Sequence, residues 1–135
     1  MTIYTIGYTG RTPEQILGIL NEHDAILLDI RYNPRSRVPH WNKGPLSRTL
    51  GDRYRHVPEL GNINYKGTVE QIQINDLPAG IEIVRQFHTH NRNVVLMCVC
   101  ADVSTCHRKL VAEALGKALG IEICHLERPG DTGQT

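Results

Sequence analysis

The residues best suited to chemistry lie in one short stretch of the sequence. Cys98, Cys100 and Cys106 fall within nine positions, and His107 and Arg108 follow directly. Thiols, imidazoles and guanidinium groups serve in proteins as nucleophiles, proton carriers and anion ligands. We therefore expect the function of the chain to centre on this stretch.

A strand and a helix must position these side chains. Residues 94–97 read Val-Val-Leu-Met, which is typical of a buried strand. Ser104 or Thr105 is expected to cap the helix that follows, so that Cys106 would lie in its first turn. The apolar face of that helix is predicted from residues three or four apart: Leu110, Val111, Ala114, Leu115, Ala118 and Leu119.

Cys106 is the candidate nucleophile or redox thiol. A helix N-terminus favours an anion, Arg108 would add to that effect, and such a setting lowers a thiol pKa from about 8.5 toward neutrality. His107, Asp29 and Glu59 are the candidate proton-transfer groups. The alternative is that Cys106 packs in the core as a small apolar residue.

The same cysteines also leave metal and redox interpretations open. Cys98, Cys100, Cys106 and His107 form a Cys-x-Cys-x5-Cys-His pattern, and these four donors could bind zinc tetrahedrally at about 2.0–2.3 Å. The spacing departs from the usual Cys-x2-Cys pairs, so the sequence indicates no cofactor and leaves zinc as an alternative. A second thiol near the first would also permit a resolving role.

A basic segment lies earlier in the chain. Residues 31–56 contain seven Lys or Arg and one acid, although the whole chain carries a net charge of only +1. The candidate contacts to an anionic substrate are Arg31, Arg35, Ser36, Arg37, Trp41, Lys43 and Arg108. Two alternatives stay open. Asp29 and Arg31 could pair with each other instead of contacting a substrate, and Trp41 could either stack on a nucleobase or fill the core.

Composition excludes several classes of protein. The 135 residues are 40% hydrophobic and 21% charged, which is typical of one globular domain. No apolar run reaches the roughly 20 residues that a membrane helix needs, and the first residues do not resemble a signal peptide. We expect a cytoplasmic protein with no membrane partner, whose partners are anionic small molecules or nucleic acid.

The order of apolar segments predicts the fold. Strand-like segments begin near residues 2, 25, 54, 94 and 121, and helical segments separate most of them. This alternation predicts a single α/β domain over residues 1–128, with a mostly parallel sheet of about five strands and helices on both faces. Residues 129–135 are expected to form a flexible tail. Loops at the carboxyl ends of the strands should gather the polar motifs at one edge.

The chain resembles the domain-of-unknown-function 488 family. The residues that carry the resemblance, in chain order, are Thr5-Ile6-Gly7, Asp29, Arg31, Pro34, Ser36, Arg37, Trp41-Asn42-Lys43, Pro58-Glu59-Leu60-Gly61, Cys98, Asp102 and Cys106-His107-Arg108.

Four positions depart from the family pattern. Tyr8 and Thr9 stand where histidine and serine are common, and Cys100 and Val103 stand where Glu and Pro are more frequent. If that Glu is the general base of the family, this chain either works differently or binds a ligand without turning it over. The resemblance implies a fold class and candidate positions but no substrate.

Two functions from different classes fit these observations. The first is a thiol-dependent transferase or hydrolase acting on an anionic, nucleotide-like or nucleic-acid-like substrate. The second is a nucleotide-binding or nucleic-acid-binding module with structural or zinc-binding cysteines. Thiol phosphatases are disfavoured, because six positions after Cys98 and Cys100 stand Ser104 and Cys106, where those enzymes need arginine.

Overall fold

Five strands alternate with four helices along the chain, as the order of apolar segments predicts. The computed structural model describes residues 1–100 and 102–126. The strands are β1 (Thr2–Gly7), β2 (Ala25–Asp29), β3 (Tyr54–His56), β4 (Asn93–Cys98) and β5 (Glu122–Leu126). The helices are α1 (Pro13–His23), α2 (Lys43–Leu50), α3 (Leu77–Thr89) and α4 (His107–Leu119).

The strands form one parallel sheet in the order β3-β2-β4-β1-β5, so β4 lies at its centre. Backbone pairing continues past the strand ends. Tyr8 N donates to Cys98 O at 2.9 Å, and Ile30 N donates to Met97 O at 3.1 Å. The segments that leave β1, β2 and β4 therefore emerge side by side, and the predicted parallel α/β fold is confirmed.

Helices cover both faces of the sheet. Met97 packs in the core beneath α1 and α2, whereas the neighbouring Cys98 packs in the core beneath α3 and α4, because successive strand residues point to opposite faces. The first core contains Ile16, Leu20, Leu27, Leu46 and Leu50, and the second contains Leu28, Val84, Leu96, Val111 and Leu115.

Local signals fix several helix ends. Thr12 and Gln15 form a capping box at the start of α1, with Gln15 N donating to Thr12 Oγ1 at 3.1 Å and Thr12 N donating to Gln15 Oε1 at 2.9 Å. Gly51 and Gly120 follow α2 and α4 with φ of 62° and 66°, a backbone conformation that glycine adopts without steric cost.

The start of α4 differs from the prediction. The expected cap at Ser104 or Thr105 is wrong, because Val103–Thr105 form a 3₁₀ turn. Asp102 accepts from Ser104 N at 2.9 Å and so caps that turn. Cys106 is itself the N-cap residue of α4 and lies one position before the first helical turn.

The predicted tail, residues 129–135, lies outside the described residues. None of the helices in residues 1–100 and 102–126 has the length and apolar composition of a membrane span.

Gly61 allows a close approach of two backbone segments beside the sheet edge. A Cβ atom at Gly61 would lie 2.6 Å from both the N and the Cα atom of Tyr32. Backbone atoms cannot move aside cheaply. We therefore predict that Gly61→Ala lowers the free energy of unfolding, measured by urea denaturation, by about 1–3 kcal/mol.

Gly18→Ala is the matched control. Gly18 lies on the exposed side of α1, where an added Cβ atom would have no other atom within 4 Å. This substitution should raise the free energy of unfolding by roughly 0.5–1 kcal/mol through helix propensity. Equal effects of the two substitutions would show that the Gly61 contact is unimportant.

Candidate functional site

A buried ion pair stands at the end of β2. Asp29 is fully buried and Arg31 is 4% exposed. Arg31 Nε donates to Asp29 Oδ1 at 2.8 Å, and Nη2 donates to Oδ2 at 2.7 Å. Asp29 also accepts from Arg31 N at 3.2 Å and from Tyr54 Oη at 2.5 Å. The carboxylate is thus used to hold Arg31, and no oxygen of Asp29 faces the pocket described below.

The ion pair affects the pKa of Arg31 itself and of the neighbouring Tyr54. Burial lowers the pKa of Arg31, but the hydrogen bonds and the charge of Asp29 outweigh that effect, so its pKa is raised. Burial and the nearby carboxylate raise the pKa of Tyr54 as well. Arg31 therefore remains a fixed cation, and Tyr54 remains a neutral hydrogen-bond donor.

Two stacked aromatic rings support the guanidinium from the other side. Arg31 Cζ lies 5.3 Å from the centre of the Tyr8 ring, and the Tyr8 and Trp41 rings stack with their centres 4.4 Å apart. Trp41 is buried in the core beneath α1 and α2. Trp41 is therefore not available to stack on a ligand. Of its two predicted roles, the structure shows the one in which it fills the core.

Two histidines hold the backbone after β2. His107 Nε2 lies 2.8 Å from Ile30 O, and His56 Nε2 lies 2.8 Å from Arg31 O. Because a carbonyl oxygen only accepts, each Nε2 carries the hydrogen. Burial lowers the pKa of His107 and outweighs the hydrogen bond to Ile30 O, so this ring is neutral at pH 7 with an unprotonated Nδ1.

The three cysteines converge beside these histidines. Cys98 ends β4, Cys100 lies two residues beyond it, and the sulfur atoms of Cys98, Cys100 and Cys106 all lie within 4.8 Å of one another. The structure places the sulfurs of Cys98 and Cys106 within bonding distance of each other, as in a disulfide, so both are thiols only in the reduced protein. Their Cα atoms are 7.7 Å apart. Disulfides usually span about 4.4–6.8 Å between Cα atoms, so a relaxed covalent bridge would draw the two backbones together by about 1 Å.

A pocket of about 480 Å³ opens at this edge of the sheet. Its lining includes the three cysteines together with His107 and Arg31. The convergence expected from parallel strands is therefore present: segments that follow β2 and β4 meet at one site. Cys98 and Cys106 are almost fully buried, and Cys100 is the most exposed of the three thiols.

Residues 62–76 fold over the pocket as an ordered flap. Asn62, which is 7% exposed, anchors it by accepting from Asn64 N at 3.0 Å and from Gln73 N at 2.9 Å. A bridge between Asn62 and Ile74 closes the base of the flap. The flap also contains a 3₁₀ turn over Val69–Gln71.

The flap supplies pocket residues that the sequence did not single out. Tyr65 and Lys66 line the pocket together with Tyr32 and Arg35. The Tyr32 and Tyr65 rings are 6.4 Å apart, and Asn33 Nδ2 donates to Tyr65 Oη at 3.3 Å. Tyr65 and Lys66 have one signal in the sequence, which is that an aromatic and a basic residue stand side by side after a Gly-containing turn. The described residues that line the pocket include no Asp or Glu.

Arg108 lies beneath the site and does not line the pocket. It is fully buried, with Nη1 donating to Thr5 Oγ1 at 3.0 Å and Nη2 donating to Cys100 O at 3.2 Å. Arg108, which the sequence suggested as a substrate contact, is therefore outside the lining of this pocket. Arg108 instead fixes the backbone that carries Cys100.

Other candidates lie away from the pocket. Ser36 N donates to Asn42 Oδ1 at 2.6 Å, which connects the backbone at Ser36 to the start of α2. Arg37 and Lys43 are exposed and do not line the pocket. Glu59 is half-buried and also outside the lining, and its carbonyl oxygen accepts from Asp76 N at 2.9 Å. Of the predicted substrate contacts, Arg31 and Arg35 are those that border the pocket.

Comparison with known proteins gives a family match over most of the chain. A family model described as Domain of unknown function DUF488 matches residues 12–115, a stretch that contains the Asp29–Arg31 pair and the three clustered cysteines. No curated protein and no solved structure gives a significant match.

Removal of the Asp29 charge tests whether this residue is structural. Asp29→Asn leaves the buried Arg31 cation without its counter-ion, so we predict a loss of about 3–5 kcal/mol in the free energy of unfolding, measured by urea denaturation. Asp52→Asn changes an exposed carboxylate in the turn after α2 and should stay within about 0.5 kcal/mol of wild type. A similar small change in both variants would contradict the positioning role of Asp29.

His107 should make stability depend on pH. Its folded pKa lies below the value in the unfolded chain, so the unfolded state takes up a proton first as the pH falls below about 6.5. The free energy of unfolding should therefore fall between pH 7.5 and 5.5, and the fall should be smaller in His107→Gln. Urea denaturation at both pH values measures this difference.

His88→Gln is the control for the loss of a histidine as such, because His88 is exposed on α3. Parallel pH profiles for wild type and His107→Gln would show that burial does not affect the ionisation of His107.

Proposed function

This chain belongs to the DUF488 family, and we propose that it is a thiol-dependent transferase or hydrolase acting on an anionic, nucleotide-like or nucleic-acid-like substrate. The observation that carries the proposal is the shared pocket. Three thiols and a neutral imidazole border the same 480 Å³ space as the cations Arg31, Arg35 and Lys66.

The cations favour an anionic substrate. Arg31 Nη1 is buried and has no hydrogen-bond acceptor among the described residues. A buried donor without an acceptor costs free energy, which an oxygen of a bound phosphate or carboxylate would offset. Arg35 and Lys66 form no salt bridge within residues 1–100 and 102–126, so their charges are available to a ligand. With no carboxylate in the described lining, the pocket favours negative charge.

The aromatic residues at the mouth favour a nucleotide or nucleic acid among anionic ligands. Tyr32 is 42% exposed and Tyr65 is 48% exposed, so a large part of each ring is open to a ligand. A nucleobase could stack on either ring while its phosphate reaches the buried Arg31. Tyr32 and Tyr65 thereby take the role that the sequence suggested for Trp41.

Cys106 is the proposed nucleophile. It stands at the N-terminus of α4, where unpaired backbone amides stabilise a thiolate, and it borders the pocket. In the proposed step, Sγ forms a bond to an electrophilic centre of the substrate while the bond from that centre to the leaving group breaks. The leaving group departs with the electron pair and takes a proton. Water then displaces Sγ and gives up a proton to His107 Nδ1, or a second nucleophile does so in its place, and the thiolate is restored.

His107 is the proposed proton carrier. Its Nε2 hydrogen is committed to Ile30 O, which leaves Nδ1 with a free lone pair. A neutral ring in this state can accept the thiol proton of Cys106 and later return it to the leaving group. The proposed step needs Cys106 in its reduced form, which a reducing compartment such as the cytoplasm expected from the sequence would maintain.

The second candidate is a nucleotide-binding or nucleic-acid-binding module. The absence of Asp and Glu from the described lining favours it, because binding needs no proton-transfer carboxylate. Such a module would bind ligand with steep salt dependence and leave it unchanged. Cysteine substitutions would then affect stability rather than turnover.

A pair of alkylating reagents tests the thiolate and the anion pocket together. In both reagents Sγ bonds to the CH₂ carbon as iodide leaves with the electron pair, but iodoacetate is anionic and iodoacetamide is neutral. In the reduced protein at low salt, the ratio of the iodoacetate rate to the iodoacetamide rate should exceed that of free cysteine by about tenfold. The excess should shrink as salt rises.

Variants assign the effect to residues. Arg35→Gln and Lys66→Gln should each lower the rate ratio, whereas Lys117→Gln, at an exposed position on α4, should not. Peptide mapping should place the fast label on Cys106, and Cys106→Ser should remove it. A ratio equal to that of free cysteine, or fast labelling confined to Cys100, would refute Cys106 as an activated thiol in an anion pocket.

A further inference from the structure

The three clustered thiols form a better metal site than disulfide site. Two thiols suffice for a disulfide, but here the sulfurs of Cys98, Cys100 and Cys106 all lie within 4.8 Å of one another. They come from the end of the central strand, from the loop after it and from the N-cap of α4. Three separate backbone positions thus direct soft donors to one point.

The backbone spacing supports the same conclusion. The Cα atoms of Cys98 and Cys106 are 7.7 Å apart, which is wider than a relaxed disulfide spans. Thiolates that share one zinc-class ion have sulfurs about 3.8 Å apart, since each Zn–S bond is about 2.3 Å in a tetrahedral site. The 7.7 Å spacing between the Cα atoms of Cys98 and Cys106 accommodates this sulfur separation without moving β4 toward α4.

The surroundings suit the charge of such a site. Three thiolates and one divalent cation carry a net charge of −1. Arg108 is buried next to the cluster, and its Nη2 donates to Cys100 O at 3.2 Å. Arg31 lines the same pocket as the three cysteines. Buried charge is tolerated when it is compensated in this way. Thiolate donors select zinc and similar thiophilic ions over magnesium or calcium.

We propose that Cys98, Cys100 and Cys106 bind one thiophilic divalent cation of the zinc class, with the fourth coordination position facing the pocket. All three cysteines line that pocket, so a water molecule or an anionic ligand can complete the tetrahedron. This goes beyond the proposed function, because a cation bound by Cys106 removes its thiolate from attack. The metal-bound and free-thiol forms exclude each other.

Cobalt provides a direct measure of the number of thiolates. Co²⁺ titrated without oxygen into the reduced full-length protein should bind at one equivalent. It should give a thiolate-to-cobalt charge-transfer band with visible absorption typical of four-coordinate cobalt, and Zn²⁺ should displace it. Cys98→Ser, Cys100→Ser and Cys106→Ser should each reduce the band by about a third. Each should weaken binding by about tenfold or more, since even outer-shell partners of a metal contribute that much.

Cys124→Ser is the matched control. Cys124 lies on β5 and is not part of the cluster, so its substitution should leave the cobalt spectrum unchanged. No charge-transfer band at one equivalent, or a band that Cys100→Ser leaves intact, would overturn a site of three thiolates.

A measurement on the wild-type protein covers the case in which a variant does not fold. Zn²⁺ at one equivalent should slow alkylation of all three clustered cysteines by N-ethylmaleimide, mapped by mass spectrometry, and should leave Cys124 reactive. Protection of only two of the three would also overturn the proposal. Neither measurement depends on Arg35 or Lys66, so this proposal and the anion-pocket proposal can fail separately.

Discussion

The buried ion pair between Asp29 and Arg31 is the interaction on which the candidate site depends. Either charge alone would be costly at this depth, so the two must stay together. Asp29 belongs to β2, and β2 pairs directly with the central strand β4, which ends in Cys98. The ion pair therefore fixes a cation at a constant position relative to the thiols. Tyr8 and Tyr54 complete its surroundings without adding charge.

Much of the fold could be predicted because it depends on local patterns. Alternating apolar segments predicted a mostly parallel α/β sheet of about five strands, and the structure confirms it. The meeting of Arg31 and Cys106 at one edge followed from parallel strands alone. Strand order could not be predicted, because it depends on pairings between segments far apart in sequence, such as Ile3 with Val94.

The fate of individual side chains could not be predicted, because it depends on which neighbour each one meets. Trp41 and Tyr32 belong to the same polar, proline-containing segment, yet Trp41 stacks on Tyr8 in the core and Tyr32 remains at the surface. The flap posed the same problem. Asn62 organises it through backbone amides at positions 64 and 73, and no periodic pattern signals such contacts. Cys106 became an N-cap because a 3₁₀ turn precedes it.

The placement of β1 has a consequence for how the chain acquires its structure during synthesis. Ile3 pairs with Val94 on one side and with Ile123 on the other, so β1 has no neighbouring strand until β4 and β5 have been synthesised. Contacts between distant segments form slowly because a long loop must close first. The edge that gathers the cysteines is therefore assembled late, and the thiols of the nascent chain remain exposed to solvent until then.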